Sequence, residues 1–263
     1  VFATTQGDVR RNRLSDFTNV RSNGKIAMKL PEGVELVNAR ICSEDDDVML
    51  TTDSGRAIRF SSTDLRVMNS RASTGVRGIR LTGNDKVVSM SVIRHFKATP
   101  EERTAYLKMR RTMAGVVEEE TTEDEVPADP NFSQERYMEM AAVENLILTI
   151  TRGGSGKLSS SHDYPIRGRG GMGVTAMDKA MRGGPVVASF PVEMSDQIML
   201  VTSNGQSIRC PIDGISFRSR SAGGVRVFNT NGDEKVVSVA YIPDQGDDVE
   251  DEQGVVETPQ AEE

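Results

Sequence analysis

The chain has no tryptophan, only 5% aromatic residues, two cysteines and two histidines. With so few rings, any core must be packed from Val, Ile, Leu and Met, and the first two favour strands. Cys42 and Cys210 lie far apart, each in or beside an expected strand, and read as free, half-buried thiols rather than a disulfide or a metal pair. His95 and His162 are isolated, so no metal-ligand cluster is expected. No apolar run approaches the length of a membrane helix, and no signal peptide is visible, so no membrane partner is expected. There is no Ser/His/Asp arrangement and no Walker loop. The tyrosines (Tyr106, Tyr137, Tyr164, Tyr241) stand outside any constellation with Arg, His and acidic metal ligands. No catalytic residue is therefore assigned. The chain begins at Val1 rather than Met, which reads as a fragment of something longer.

What is present is a repeat, the first pattern to look for in a chain of 263 residues. Its fullest copy is Val48–Leu81, where a short apolar run meets a turn at Asp53-Ser54-Gly55. A second run then alternates as Arg56, Ala57, Ile58, Arg59, Phe60. Period-2 alternation bounded by Gly, Asp and Ser predicts a hairpin with one buried face and one wet, arginine-bearing face. The same turn recurs at Gly7, Gly154 and Gly205. Downstream of each turn an Arg stands just ahead of a Gly that opens another run: Arg21–Gly24, Arg71–Gly75, Arg169–Gly173 and Arg220–Gly224. Closing apolar runs follow, as at Lys86–Ile93 and Lys235–Ile242. Gly7 to Gly55 is 48 residues and Gly154 to Gly205 is 51, whereas Gly55 to Gly154 is 99. A period near 50 with several strands per unit indicates a propeller with one blade per repeat. The doubled spacing locates one non-repeating segment.

The expected organisation is all-β: blades at 1–47, 48–94, 146–197 and 198–243, an insertion at 95–145 and a disordered tail at 244–263. In the insertion, Thr99-Pro-Glu-Glu102 is a capping box with Pro at the first helical position. Ala105, Leu107, Met109, Met113 and Val116 could give that helix an apolar face. Glu118–Asp129 reads as a flexible acidic loop, and a second helix is expected over about Ser133–Glu144. The insertion is either a surface excursion or a docking element for another subunit.

The net charge of −7 conceals a division. The insertion holds 12 acids and 6 bases, and the tail holds 9 acids and no base. The repeats alone carry 26 bases against 18 acids, a net +8. A basic repeat body implies a polyanionic partner, and the acidic tail could compete for the same surface. The candidate contacts are Arg10, Arg11, Arg13, Arg21 and Lys25 in the first repeat, and Arg56, Arg59, Arg71, Arg77 and Arg80 in the second. The third supplies Arg152, Lys157, Arg167 and Arg169, and the fourth Arg209, Arg218, Arg220 and Arg226. Gly168-Arg-Gly170-Gly-Met-Gly173 fits the dinucleotide pattern G-x-G-x-x-G. That pattern needs a strand before it and a helix after it, whereas Val174-Thr-Ala-Met reads as a strand. These glycines, with Arg167 and Arg169, make better sense as a basic loop that approaches phosphate closely.

The glycine turns, VMLTTDSGRAIRF, STGVRGIRL, GNDKVVS, DQIMLVTSNG and the acidic tail together resemble the C-terminal domain of the DNA gyrase A subunit. The related domain of the topoisomerase IV A subunit is the alternative. The resemblance implies a β-pinwheel whose neighbouring blades exchange strands and whose basic rim wraps duplex DNA non-specifically in support of ATP-dependent negative supercoiling. It also implies about two further blades upstream, carrying the hallmark Gln-Arg-Arg-Gly-Gly-Lys-Gly box. RGRGGMG at 167–173 matches that box only at Arg169, Gly170, Gly171 and Gly173. By the same resemblance the partners are duplex DNA, the rest of the gyrase A subunit, and the gyrase B subunit in an A2B2 holoenzyme. ATP and Mg2+ would sit on the partner subunit, with no cofactor in this chain, and the setting would be the bacterial cytoplasm at the nucleoid. A propeller that binds proteins, with its basic face merely solvated, is the competing class.

Overall fold

The computed structural model describes residues 1–20, 22–115, 126–178, 183–230 and 233–244. The first repeat gives β1 (Phe2–Thr4), β2 (Asp8–Arg10) and β3 (Leu36–Ala39). The second gives β4 (Asp46–Thr52), β5 (Arg56–Ser61), β6 (Val76–Arg77) and β7 (Val87–Arg94). Helices α1 (Pro100–Met113) and α2 (Gln134–Ala142) follow. The third repeat gives β8 (Leu146–Thr151), β9 (Ser155–Ser160), β10 (Val174–Thr175) and β11 (Val186–Val192). The fourth gives β12 (Gln197–Thr202), β13 (Ser207–Pro211), β14 (Val225–Arg226) and β15 (Val236–Ile242).

These strands form four antiparallel sheets in a propeller arrangement, but no sheet of four strands comes from one repeat. Their orders are β3-β1-β2-β6, β10-β5-β4-β7, β11-β8-β9-β14 and β13-β12-β15. Each of the first three blades thus takes one edge strand from the following repeat. The fourth has three strands and leaves β13 unpaired on one side among the described residues. The closing strands β3, β7, β11 and β15 of successive blades pack on one another, which sets them at the inside of the array. The exchanged strands lie at the opposite, outer edge.

The exchange explains the glycine that precedes each donated strand. Gly75 and Gly173 adopt φ of +101° and +69°, and a Cβ built on either would stand 2.4 Å from a backbone carbonyl of the accepting hairpin, at Val9 and Ala57 respectively. Only a residue without Cβ tolerates both the left-handed backbone and that approach.

The expected wet face of the hairpins is corrected. In β5 the run Ala57–Phe60 is wholly buried, Arg59 included, and in β9 Gly156–Ser160 is buried as well. Strand alternation assigns side chains to two faces but cannot say that neighbouring repeats and the insertion cover both. The core then follows composition. One cluster gathers Val48, Leu50, Ile58, Phe60, Leu65, Ile79 and Met90, and another Leu148, Ile150, Leu158, Ile198, Leu200, Ile212 and Val236.

The insertion folds against the blades. Thr99 and Glu102 close the expected capping box, with Thr99 Oγ1 accepting from Glu102 N at 3.2 Å and Glu102 Oε2 accepting from Thr99 N at 2.7 Å. Its apolar face differs from the expected one. Ala105, Tyr106 and Leu107 are buried with Tyr137 and Met140 of α2, whereas Met113 is 61% exposed. Val116 and most of the acidic loop lie outside the described residues, as does the tail from 245. His162 anchors this small core to the third blade. Its Nε2 donates to Met140 O at 2.8 Å, and its ring meets Tyr106 edge-on at 4.9 Å. Burial pushes its pKa down, so the ring is neutral near pH 7.

Candidate nucleic-acid interface

The eighteen candidate cations divide by what their donors already hold. Four are buried: Arg10, Arg59, Lys157 and Arg220. Arg10 and Lys157 occupy the same place, the third residue after the turn glycine, and do the same thing. Arg10 Nη1 donates to Ser73 O at 2.6 Å and to Ser73 Oγ at 3.0 Å. Lys157 Nζ donates to the carbonyls of Ser219, Arg220 and Ala222 at 2.9, 2.5 and 2.6 Å. Each cation clasps the loop that leads into the strand donated by the next repeat. Desolvation pushes Lys157 down to about 7, while the three carbonyls match the three donors of its ammonium form. In the second blade the equivalent residue is Ile58, which packs near Gly171, so there an apolar contact replaces the clasp.

The arginine ahead of each donated strand is a latch as well. Arg220 Nε donates to Asp163 O at 2.9 Å, its Nη1 to Thr175 O at 2.6 Å, and its backbone N–H to Asp163 Oδ2 at 2.7 Å. Arg169, one repeat earlier, reaches Asp64 O and Arg77 O, both at 3.2 Å. Arg71, one repeat earlier again, reaches Ile26 O at 2.7 Å. Arg21 would complete the series but lies outside the described residues. Arg59 bonds Asp47 Oδ2 at 2.7 Å, Ser161 O at 2.8 Å and Arg94 O at 3.0 Å, tying the second blade to the third. Arg10, Arg59, Lys157 and Arg220 are therefore not surface contacts. A strong repeat signal in the sequence marked the joints between blades, because both joints and polyanion sites need cations beside glycines.

Four others are half-buried or exposed but engaged: Arg11 with Glu44 at 3.7 Å, Lys25 with Asn19 O at 3.2 Å, Arg71 as above, and Arg56 with the carbonyls of Met172 and Gly173 at 2.7 and 2.6 Å. Arg218 is half-buried, and its Nε is shut off from water with no partner among the described residues.

The exposed set is Arg13, Arg77, Arg80, Arg152, Arg167, Arg169, Arg209 and Arg226. Arg77 and Arg226 hold the same place on the exchanged outer strands β6 and β14, where Thr175 takes the intervening position on β10. The glycine-rich loop docks beside the first of these. Gly170 N donates to Gly78 O at 2.6 Å, and Arg80 N donates to Gly171 O at 2.8 Å. Tertiary structure thus gathers Arg77, Arg80 and Arg169, which are up to 92 residues apart in the chain, at one outer corner. The guanidiniums of Arg77 and Arg80 offer forked donors suited to phosphate oxygens, while Arg169, whose Nε and Nη1 already donate to carbonyls, holds the loop beside them. The loop is followed by strand β10 and not by a helix, so it has no dinucleotide-type helix N-terminus. Cys42 and Cys210 are free and half-buried. Among the described residues no helix is long and apolar enough to cross a membrane.

Known proteins share this arrangement. The family model described as DNA gyrase C-terminal domain, beta-propeller, matches residues 1–43, 46–94, 145–191 and 196–243. The DNA gyrase A subunit of Granulibacter bethesdensis is 45% identical over 270 residues, covering 95% of this chain and 29% of that protein. That of Rickettsia bellii is 42% identical over 254 residues, covering 96% of this chain and 28% of its own length. The chain thus spans under a third of the curated relatives it matches. Among solved structures, a DNA gyrase A C-terminal domain superposes with a TM-score of 0.64 at 22% identity, covering 92% of this chain and 64% of that one. A topoisomerase IV C-terminal domain superposes at 0.67 and 17% identity, with 92% and 61% covered. At these identities the two structures show the fold.

Proposed function

This chain belongs to the DNA gyrase C-terminal domain family, and on that premise we propose that its outer edge binds and wraps duplex DNA without reading sequence. It would do so as part of the A subunit of a type IIA topoisomerase, paired with the B subunit in an A2B2 assembly. Cleavage chemistry, ATP and Mg2+ would belong to other parts of that assembly, located with the bacterial nucleoid. The observation that carries the reading is the series on the outer edge. Arg77, Arg80 and Arg169 are exposed together beside the exchanged strand β6, and Arg226 is exposed at the equivalent place on the exchanged strand β14. Phosphate contact of this kind supplies affinity with no base readout. Bending a duplex around an edge costs on the order of 1–6 kcal/mol per short site, so the contacts must be spread along the arc.

The test is duplex binding across a salt series by the full-length gyrase A subunit, with linking number measured on ligase-closed circles. Each phosphate contact removed lowers the log–log salt slope by about 0.9. Arg77→Gln with Arg226→Gln should therefore lower it by about 2 and weaken binding uniformly across sequences. An unchanged slope in that double variant would place the duplex elsewhere. A protein-interaction propeller would show no salt-dependent duplex binding at all.

A further inference from the structure

The insertion is acidic as a whole, but its charge is segregated. Helix α1 carries Arg103, Lys108, Arg110 and Arg111 against Glu101 and Glu102. The acids from Glu118 to Glu125 fall in the segment that follows. The basic helix docks on the blades at the connections that lead towards the donated strands. Arg110 stacks over the ring of Phe217 in the fourth repeat at 4.7 Å and pairs with Glu144 at 3.0 Å, so its charge is used. Arg103 is different. Its Nε is cut off from water and has no hydrogen-bond partner, and its guanidinium forms no ion pair among the described residues. The residue as a whole is half-buried.

The blade side of this junction is also cationic. Arg167 N donates to Arg59 O at 2.9 Å, and Arg218 N donates to Leu158 O at 2.8 Å, so these two arginines hold matching places in successive repeats. Arg167 is exposed, and Arg218 repeats the feature of Arg103, an enclosed Nε with no acceptor among the described residues. Burial, then the guanidiniums of Arg59, Arg167 and Arg220, push the pKa of Arg103 down against the pull of Asp163. Asp163 is already held by the backbone N–H and Nε of Arg220, and Arg59 by Asp47. The positive charge of Arg103 and Arg167 is left over. A buried charged donor without an acceptor is costly, and a surplus of such donors at a surface is what an anion relieves.

We propose that α1 and the third repeat together form a phosphate site, with Arg103 and Arg167 as its ligands, and that its occupant is a backbone phosphate of the duplex. The insertion is then an added strip of the DNA path. This assignment rests on the reading that the domain binds duplex, and goes beyond it by naming a site outside the repeats. Lysine in place of Arg103 would keep the charge but lose the forked geometry.

The test uses the full-length gyrase A subunit, with far-UV circular dichroism to verify folding. Arg103→Gln should lower the salt slope by about 0.9, and Arg103→Lys should recover most of the affinity. Arg167→Gln should produce a similar loss, and the double variant should lose less than the sum, as expected of two ligands to one phosphate. Should Arg103→Gln unfold the insertion, Arg103→Lys and Arg167→Gln still report on the site. Unchanged binding in these variants, with Arg77→Gln/Arg226→Gln weakened, overturns this site and leaves the outer-edge reading intact. Absence of duplex binding by the parent protein overturns both. If inorganic phosphate raises the Tm of the parent but not of Arg103→Gln, while duplex binding is equal in the two, the site takes a free anion and the duplex assignment fails.

Discussion

The third and fourth blades are copies of one repeat, yet their second hairpin strands differ in almost every physical respect. In β9 every residue from Gly156 to Ser160 is buried, and Lys157 is clasped by three carbonyls. In β13 burial alternates between half-buried and exposed, and Arg209 stands in solvent. The difference is the next repeat. The third blade receives β14 and its loop, whereas the described chain supplies nothing to the edge of the fourth. A cation beside a turn glycine is thus a clasp or a surface charge according to whether a donated loop arrives. An open edge strand is also a template for further pairing, and exposed charge of the kind Arg209 carries is one device that restrains it.

The comparison can be broken most directly at Lys157. Lys157→Met keeps the stem but orphans three carbonyls, and should cost about 3 kcal/mol or more. Read by thermal unfolding, that is a fall in Tm of about 6–12 °C for a chain of this size. A loss below about 1 kcal/mol would mean that the clasp does not hold the exchanged strand. The next largest effect concerns glycine. Gly173→Ala would force a Cβ to 2.4 Å from Ala57 O at a φ of +69°. Gly205→Ala in the fourth blade has a φ of +81° and open space around it. Both bear the strain of positive φ, about 1 kcal/mol, but only the first adds a backbone clash, so its denaturant midpoint should fall further. Equal losses would show that strand exchange places no demand on that glycine. The smallest effect sharpens the contrast from the other side. Arg209→Gln should change stability by no more than about 0.5 kcal/mol, and a larger change would reveal a partner on the open edge.

Much of this architecture was legible in the residues. The turn glycines and their spacing gave four blades, and the doubled spacing gave the insertion, because a repeat writes its period into the chain. The capping box at Thr99–Glu102 was equally direct, since it depends only on local backbone donors. Which of the candidate cations face solvent was legible only by half. Arg77 and Arg226 were named among the candidates and lie on the outer edge, but Arg10, Arg59, Lys157 and Arg220 were named for the same reasons and are buried. Nothing local separates the two groups. Arg10 and Arg77 each sit on a short strand, and what distinguishes them is a loop more than 60 residues from the first. Arg103 was missed because it lies in a segment that averages acidic.

The sequence by itself determined the strand-forming segments, the turns, the helix start and the basic bias of the repeats, since these follow from periodicity, φ preference and charge, which act over a few residues. Only the tertiary structure decided which repeat completes which blade, which cations face solvent and where the insertion docks. Those outcomes depend on burial and on acceptors supplied from distant parts of the chain, and a charged side chain carries no mark of whether an acceptor will arrive.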